Sequence, residues 1–150
     1  RIVCMVMATS DLISQLHARV THERSAILTS LSLVILAARA YGHAVVDGIT
    51  SDFKNMHSFE YACRLGRDMG FDGKSLVHPA QLAYSNDAYT PQASEVKNAR
   101  EIIAALKAAN EMGKGTVVVN DKLVERHHVR AAERLLKLSE MISTLEESHV

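Results

Sequence analysis

The sequence is poor in several things that would have announced a function. Lysines plus arginines number 17 and aspartates plus glutamates 17, so the net charge is zero. A balanced chain offers no positive field for nucleic acid or anionic lipid, and neither partner is expected. No apolar run approaches the roughly 20 residues a membrane span needs. The two cysteines, Cys4 and Cys63, lie far apart and form no C-x-x-C, which argues against a disulfide framework or a zinc knuckle and for a reducing compartment. No G-x-G-x-x-G follows an apolar strand and no G-x-S-x-G elbow occurs, so neither a nicotinamide site nor a serine nucleophile is supported. No signal or transit segment is visible. The expected location is the cytoplasm, with the mitochondrion as the alternative.

What is present is ordinary globular composition, 47% hydrophobic and 23% charged over 150 residues. Ile2–Met7 is apolar throughout, as a strand buried on both faces would be. A polar stretch follows to Arg24. From Ser25, Leu28, Leu31, Ile35 and Ala38 step at helical spacing to a stop at Tyr41-Gly42. Ala44–Val46 reads as a second strand, Ser58–Met69 as a second helix, and Ser75–Val77 as a third strand closed by His78-Pro79. Val96, Ala99, Ile102, Leu106 and Ala109 define a long helix, Thr116–Val119 a short β run, and Val129–Leu145 a charged amphipathic helix.

Strand, helix, strand, helix, strand is the order of parallel βαβ units. Three strands make a poor complete domain because the outer ones leave unpaired edges. The chain opens on Arg1 and runs straight into a strand, so it is expected to be a piece of something longer. Two frames fit: the last three strands of a (β/α)8 barrel, which takes about 250 residues, or an open flavodoxin-like sheet.

In parallel α/β folds chemistry gathers beyond the carboxyl ends of the strands. Asp11, then Asp47 and Asp52, then His78 fall at those places. Each has a plain structural reading as well, as a helix cap or a loop hydrogen-bonding group. The stretch Asp68–Ser75 (DMGFDGKS) nearly matches a phosphate loop, but it runs from helix to strand and so points its N–H groups the wrong way. Of eight histidines, His17 and His22 are five apart and His127 and His128 adjacent, spacings that do not put two ligands on one helix face. An aspartate-rich strand-end face suits a hard divalent cation such as Mg2+, which prefers oxygen ligands.

Gly70–Gln81 (GFDGKSLVHPAQ) resembles the G-F-x-G-K-x-x-I-H-P-x-Q element of the citrate lyase beta-subunit-like family, which includes the malyl-CoA and citramalyl-CoA lyases. Val45-Val46-Asp47-Gly48 with Asp52-Phe53 is similar to its I-D-G-x-x-x-D-F segment. Tyr89-Thr90-Pro91 is similar to its F-[ST]-P, Gly113-Lys114-Gly115 to its G-x-G, and Asp11-Leu12 to the end of its sixth strand. The resemblance implies a (β/α)8 TIM barrel, of which residues 1–91 would be the C-terminal part, about three βα units. Residues 92–150 would be a helical C-terminal extension. It implies a homo-oligomer, trimeric or larger, and Mg2+-dependent Claisen-type cleavage of a 3-hydroxyacyl-CoA thioester to acetyl-CoA and a 2-oxo acid.

By position, Asp11 would be a Mg2+ ligand, and Asp47, Lys74, His78 and Pro79 would belong to the substrate or CoA end of the barrel mouth. Glu125, in Asp121–His127 (DKLVERH), stands where the family's G-K-M-I-D-x-P places an acid/base aspartate that reaches into a neighbouring subunit. Glu125 keeps that carboxylate but lengthens it by one methylene, about 1.5 Å, and His127 and Ala8 replace a proline and a glycine. The family's second metal ligand, a glutamate, and its substrate-binding arginine belong to earlier strands. These departures motivate the alternative, a catalytically silent CoA-binding or partner subunit.

Overall fold

The computed structural model describes residues 2–148. The chain divides into two units, residues 1–89 and 90–150. The first is α/β. Strand β1 (Cys4–Val6) is followed by helix α1 (Thr9–Gln15), and a 3-10 turn at Ser25–Ile27 leads into α2 (Leu28–Ala40). Then come β2 (Ala44–Asp47), α3 (Met56–Met69), β3 (Gly73–Lys74), a second 3-10 turn at Pro79–Gln81, and α4 (Leu82–Tyr89). The sheet order is β1-β2-β3, all parallel, with Met5 opposite Val45 and Asp47 opposite Lys74.

Helix α2 forms where the apolar spacing predicts, and Leu31, Ile35 and Ala38 go inward to meet Ile27, Val45 and Phe71. Asn55 starts α3 by accepting the Ser58 N–H at 3.1 Å. Gly70 ends it: its φ of +105° is a left-handed conformation that glycine adopts without penalty, and the Phe71 N–H returns to the Gly66 carbonyl. Phe59 and Cys63 on α3 are fully buried against Ala88 of α4. Full burial of a side chain such as Phe59 contributes about 2–3 kcal/mol.

Three expectations change. Strand β1 is not buried on both faces: Val3 is 77% and Val6 62% exposed, because among the described residues β1 pairs only with β2 and no helix covers its second face. The third strand lies at Gly73–Lys74 rather than Ser75–Val77. Its position follows from pairing, since Asp72 N–H bonds to Val45 O and Ser75 N–H to Asp47 O. The polar stretch before Arg24 contains helix α1, and α4 is a further helix without a clear apolar period.

In the second unit, α5 (Ala93–Glu111) precedes an antiparallel hairpin, β4 (Val117–Val119) and β5 (Lys122–Val124), and then α6 (Arg126–Glu147). Helices α5 and α6 pack together, with Ala99, Leu106, Ala109, Val124 and Ala132 buried. No helix among the described residues is long and apolar enough to cross a membrane.

Candidate active site at the carboxyl ends of the strands

The last residues of β2 and β3 meet directly. Asp47 is fully buried, and Lys74 Nζ donates to its Oδ2 at 3.0 Å and to the Gly48 carbonyl at 2.6 Å. Arg24 reaches the same carboxylate with both terminal nitrogens, each at 2.7 Å, and the Gly48 N–H adds a bond of 2.8 Å to Oδ1. Arg24 is itself in the left-handed region, φ 57°, at the start of the Ser25–Ile27 turn. The ion pair therefore fixes a loop that local propensity alone would leave unsettled.

Gly48 is needed at this crossing. A Cβ there would lie 2.6 Å from the Met7 carbonyl and press on the Thr9 side chain. Thr9 is buried, and its hydroxyl donates to Ile49 O at 3.3 Å.

Burial pushes the Asp47 carboxyl up, but the Arg24 hydrogen bonds and the Lys74 and Arg24 charges outweigh it and hold its pKa below the ordinary value. Burial lowers Lys74 below the usual lysine value, and Asp47 offsets only part of that. Cys63, nearby, is pushed up to about 11 by burial and stays a neutral thiol. Burial also raises Tyr89, whose hydroxyl has no hydrogen-bond partner among the described residues.

The residues singled out from sequence are distributed unevenly. Asp47 and Lys74 are in contact. Asp11 is exposed in the first turn of α1, past the end of β1, with no hydrogen bond or ion pair among the described residues. His78 precedes the second 3-10 turn, accepts the Ala80 N–H through Nδ1 at 3.1 Å, and stacks on Phe53 at 4.8 Å. Pro79 opens that turn. Glu125 belongs to the second unit, where it is the residue before α6.

Two side chains went unmarked. Arg24 sits 23 residues from its partner in a featureless polar stretch, and nothing local signals it. Gln81 is fully buried; its Oε1 accepts the Val77 and His78 N–H groups and its Nε2 donates to Thr50 O. Its place in the H-P-x-Q element was the available signal.

The chemistry of the donors separates two kinds of cation. Asp11 offers exposed carboxylate oxygens, which fit a Mg2+ ion that keeps most of its water. At the start of α6, Glu125, His127 and His128 come together, their ligand atoms within 4.8 Å of one another. The adjacent histidines thus do converge, contrary to the expectation from spacing, because the first helical turn brings their rings to 3.8 Å. Two imidazoles and a carboxylate suit a transition metal rather than Mg2+. His128 Nδ1 is, however, already accepting the Glu125 N–H at 3.0 Å.

A parallel sheet with helices packed against it, whose strand-end side chains converge on one buried carboxylate, defines the first unit as a protein of the α/β class. The description "HpcH/HpaI aldolase/citrate lyase" matches residues 1–79, and the chain belongs to that family. It is 43% identical over 143 residues to a (3S)-malyl-CoA thioesterase of Cereibacter sphaeroides, covering 95% of this chain and 50% of that protein. It is 36% identical over 110 residues to an L-malyl-CoA/beta-methylmalyl-CoA lyase of the same species, covering 73% of this chain and 35% of that one. Among solved structures, CitE from Mycobacterium tuberculosis, in complex with magnesium, acetoacetate and coenzyme A, superposes with a TM-score of 0.77 at 23% identity, over 91% of this chain and 51% of that one. The resemblance read from the motifs is thereby borne out. The chain spans about half the length of the curated thioesterase it matches.

Proposed function

We propose that the whole protein is a Mg2+-dependent enzyme acting on a 3-hydroxyacyl-CoA thioester of the malyl-CoA or citramalyl-CoA kind, cleaving it to acetyl-CoA and a 2-oxo acid. The observation that carries this reading is the identity to proteins named for malyl-CoA, a thioesterase over 95% of this chain and a lyase over 73% of it. Residues 1–91 are then the C-terminal part of a (β/α)8 barrel and residues 92–150 its helical extension, in a homo-oligomer.

Bound Mg2+ would polarise the oxygen on which charge gathers as the carbon–carbon bond breaks. Asp11 is the residue of this chain that would hold it. In the cleavage direction a base takes the 3-hydroxyl proton, the carbon–carbon bond breaks, its electron pair passes to the acetyl carbon, and an acid returns a proton there. Glu125 is the carboxylate proposed for that transfer, acting in a neighbouring subunit. Lys74, His78 and Pro79 shape the mouth. Asp47 serves binding through Arg24 and Lys74, since its own oxygens are taken by them.

A second reading, hydrolysis of the thioester, is favoured by one observation: the relative at 43% identity is named a thioesterase, while the lyase stands at 36%. One assay separates them. The full-length protein with Mg2+ and malyl-CoA should form glyoxylate and acetyl-CoA with no free thiol, whereas hydrolysis yields free CoA thiol and no glyoxylate. Coenzyme A binding with neither product would identify the silent subunit and defeat both. Asp11→Ala should abolish turnover and Glu125→Asp should preserve or raise it; full activity in Asp11→Ala would remove the metal assignment.

A further inference from the structure

The opening turn of α6 gathers three metal-ligating side chains that belong to no strand end. Glu125 is the residue before the helix, in extended backbone with φ −131°, and His127 and His128 fall in the first turn after it. The Glu125 carboxylate meets His127, with Oε2 3.4 Å from Nδ1, and the two imidazole rings lie 3.8 Å apart. The ligand atoms of all three residues are within 4.8 Å of one another.

Those separations are close to what a single ion requires. Metal–nitrogen and metal–oxygen bonds of about 2.0–2.2 Å put two tetrahedral ligand atoms about 3.4 Å apart. Glu125 and His127 already stand at that separation. His128 has at most about 1.4 Å to close, and the broad χ2 torsion of histidine allows such an adjustment at little cost. The Glu125 side chain is 47% and that of His127 67% exposed, so an ion held here keeps water on its remaining positions. The positive end of the helix dipole opposes a cation, and the Glu125 carboxylate offsets it. His128 Nδ1 accepts the Glu125 N–H at 3.0 Å. An ion drawing on Nδ1 replaces that one hydrogen bond, and the N–H passes to water.

We infer that Glu125, His127 and His128 form a binding site for a divalent transition-metal ion such as Zn2+ or Co2+. Imidazole nitrogen suits such ions, whereas Mg2+ takes oxygen ligands and water. The bound ion occupies the Glu125 carboxylate. On the reading that makes Glu125 the acid/base group, on which this consequence rests, the ion withdraws it from proton transfer, and Zn2+ inhibits the enzyme that Mg2+ serves.

The test titrates tag-free full-length protein with Co2+ in millimolar Mg2+, following the visible absorption that marks imidazole ligation. A saturable band that Zn2+ displaces is expected, and Asp11→Ala should leave it in place. His127→Gln removes a ligand from an exposed position. It should weaken Co2+ binding about a hundredfold or more, beyond the tenfold to hundredfold cost of losing an outer-shell partner, with the metal-free melting temperature unchanged. No band, a band lost in Asp11→Ala, or one of equal affinity in His127→Gln overturns the site. Turnover of malyl-CoA is read separately. Zn2+ should suppress it at the concentrations that displace Co2+, and His127→Gln should need correspondingly more. A filled site without suppression upholds the metal site, overturns the inhibition, and removes Glu125 from the proton transfer.

Discussion

The two ends of the parallel sheet are tied by the same chemistry in opposite surroundings. At the amino ends of β2 and β3, Arg39 donates both terminal nitrogens to Asp72, each at 2.8 Å, and Asp72 also accepts the Val45 N–H. That pair stands in solvent, Arg39 36% and Asp72 44% exposed. At the carboxyl ends Arg24 makes the equivalent fork to Asp47, but Asp47 is fully buried and Lys74 shares it. Water can replace either partner of the outer fork and neither partner of the inner one. The outer fork therefore serves as an adjustable clasp, and the inner one fixes the strand ends and the loop wall where ligands are expected.

The comparison breaks most visibly at Asp47. Asp47→Ala leaves two buried cations without their anion and should cost about 3–5 kcal/mol, read by chemical denaturation. A loss below about 1 kcal/mol would mean that the inner fork is as solvated as the outer. Gly48→Ala comes next, at about 1–3 kcal/mol, because its Cβ would meet the Met7 carbonyl at the strand crossing.

Acid should act at the inner fork. The folded-state pKa of Asp47 is lowered, so its stabilisation is complete above the unfolded value and drains away as pH falls through the folded one. Unfolding of the first unit should accordingly begin below about pH 4, and in Asp47→Asn the part of the acid sensitivity due to this group should vanish. Asp72→Ala should cost less than Asp47→Ala, about 1 kcal/mol, mostly from the lost bond to the Val45 N–H. Smallest of all is the effect of salt: raising ionic strength to about 1 M should weaken the exposed fork by a few tenths of a kcal/mol and leave the buried one unmoved. The difference between Asp72→Ala and wild type, measured at both ionic strengths, checks it.

Much of this was legible beforehand. The helical spacing of Leu31, Ile35 and Ala38 and the apolar run of β2 depend only on neighbours in sequence, and both elements form where they were expected. The motif around Lys74 to Pro79 located the strand-end face, and Asp47 and Lys74 do meet there. Arg24 was invisible because its role rests on a partner 23 residues away. Helix α1 was hidden because only Thr9 is buried in its seven residues, so no apolar stripe marked it. The convergence of His127 and His128 escaped spacing rules that treat a helix interior, whereas these residues sit in its opening turn.

By itself the sequence determined the family, the order of the three parallel strands and of helices α2 and α3, and the residue types available at the strand ends, since these follow from local pattern and composition. Only the tertiary structure decided that Asp47 is a buried hub rather than an open ligand and that Arg24 completes it. Those properties depend on burial and on which distant side chains share a charge, and a single buried carboxylate takes its meaning from whatever packing brings within hydrogen-bonding reach.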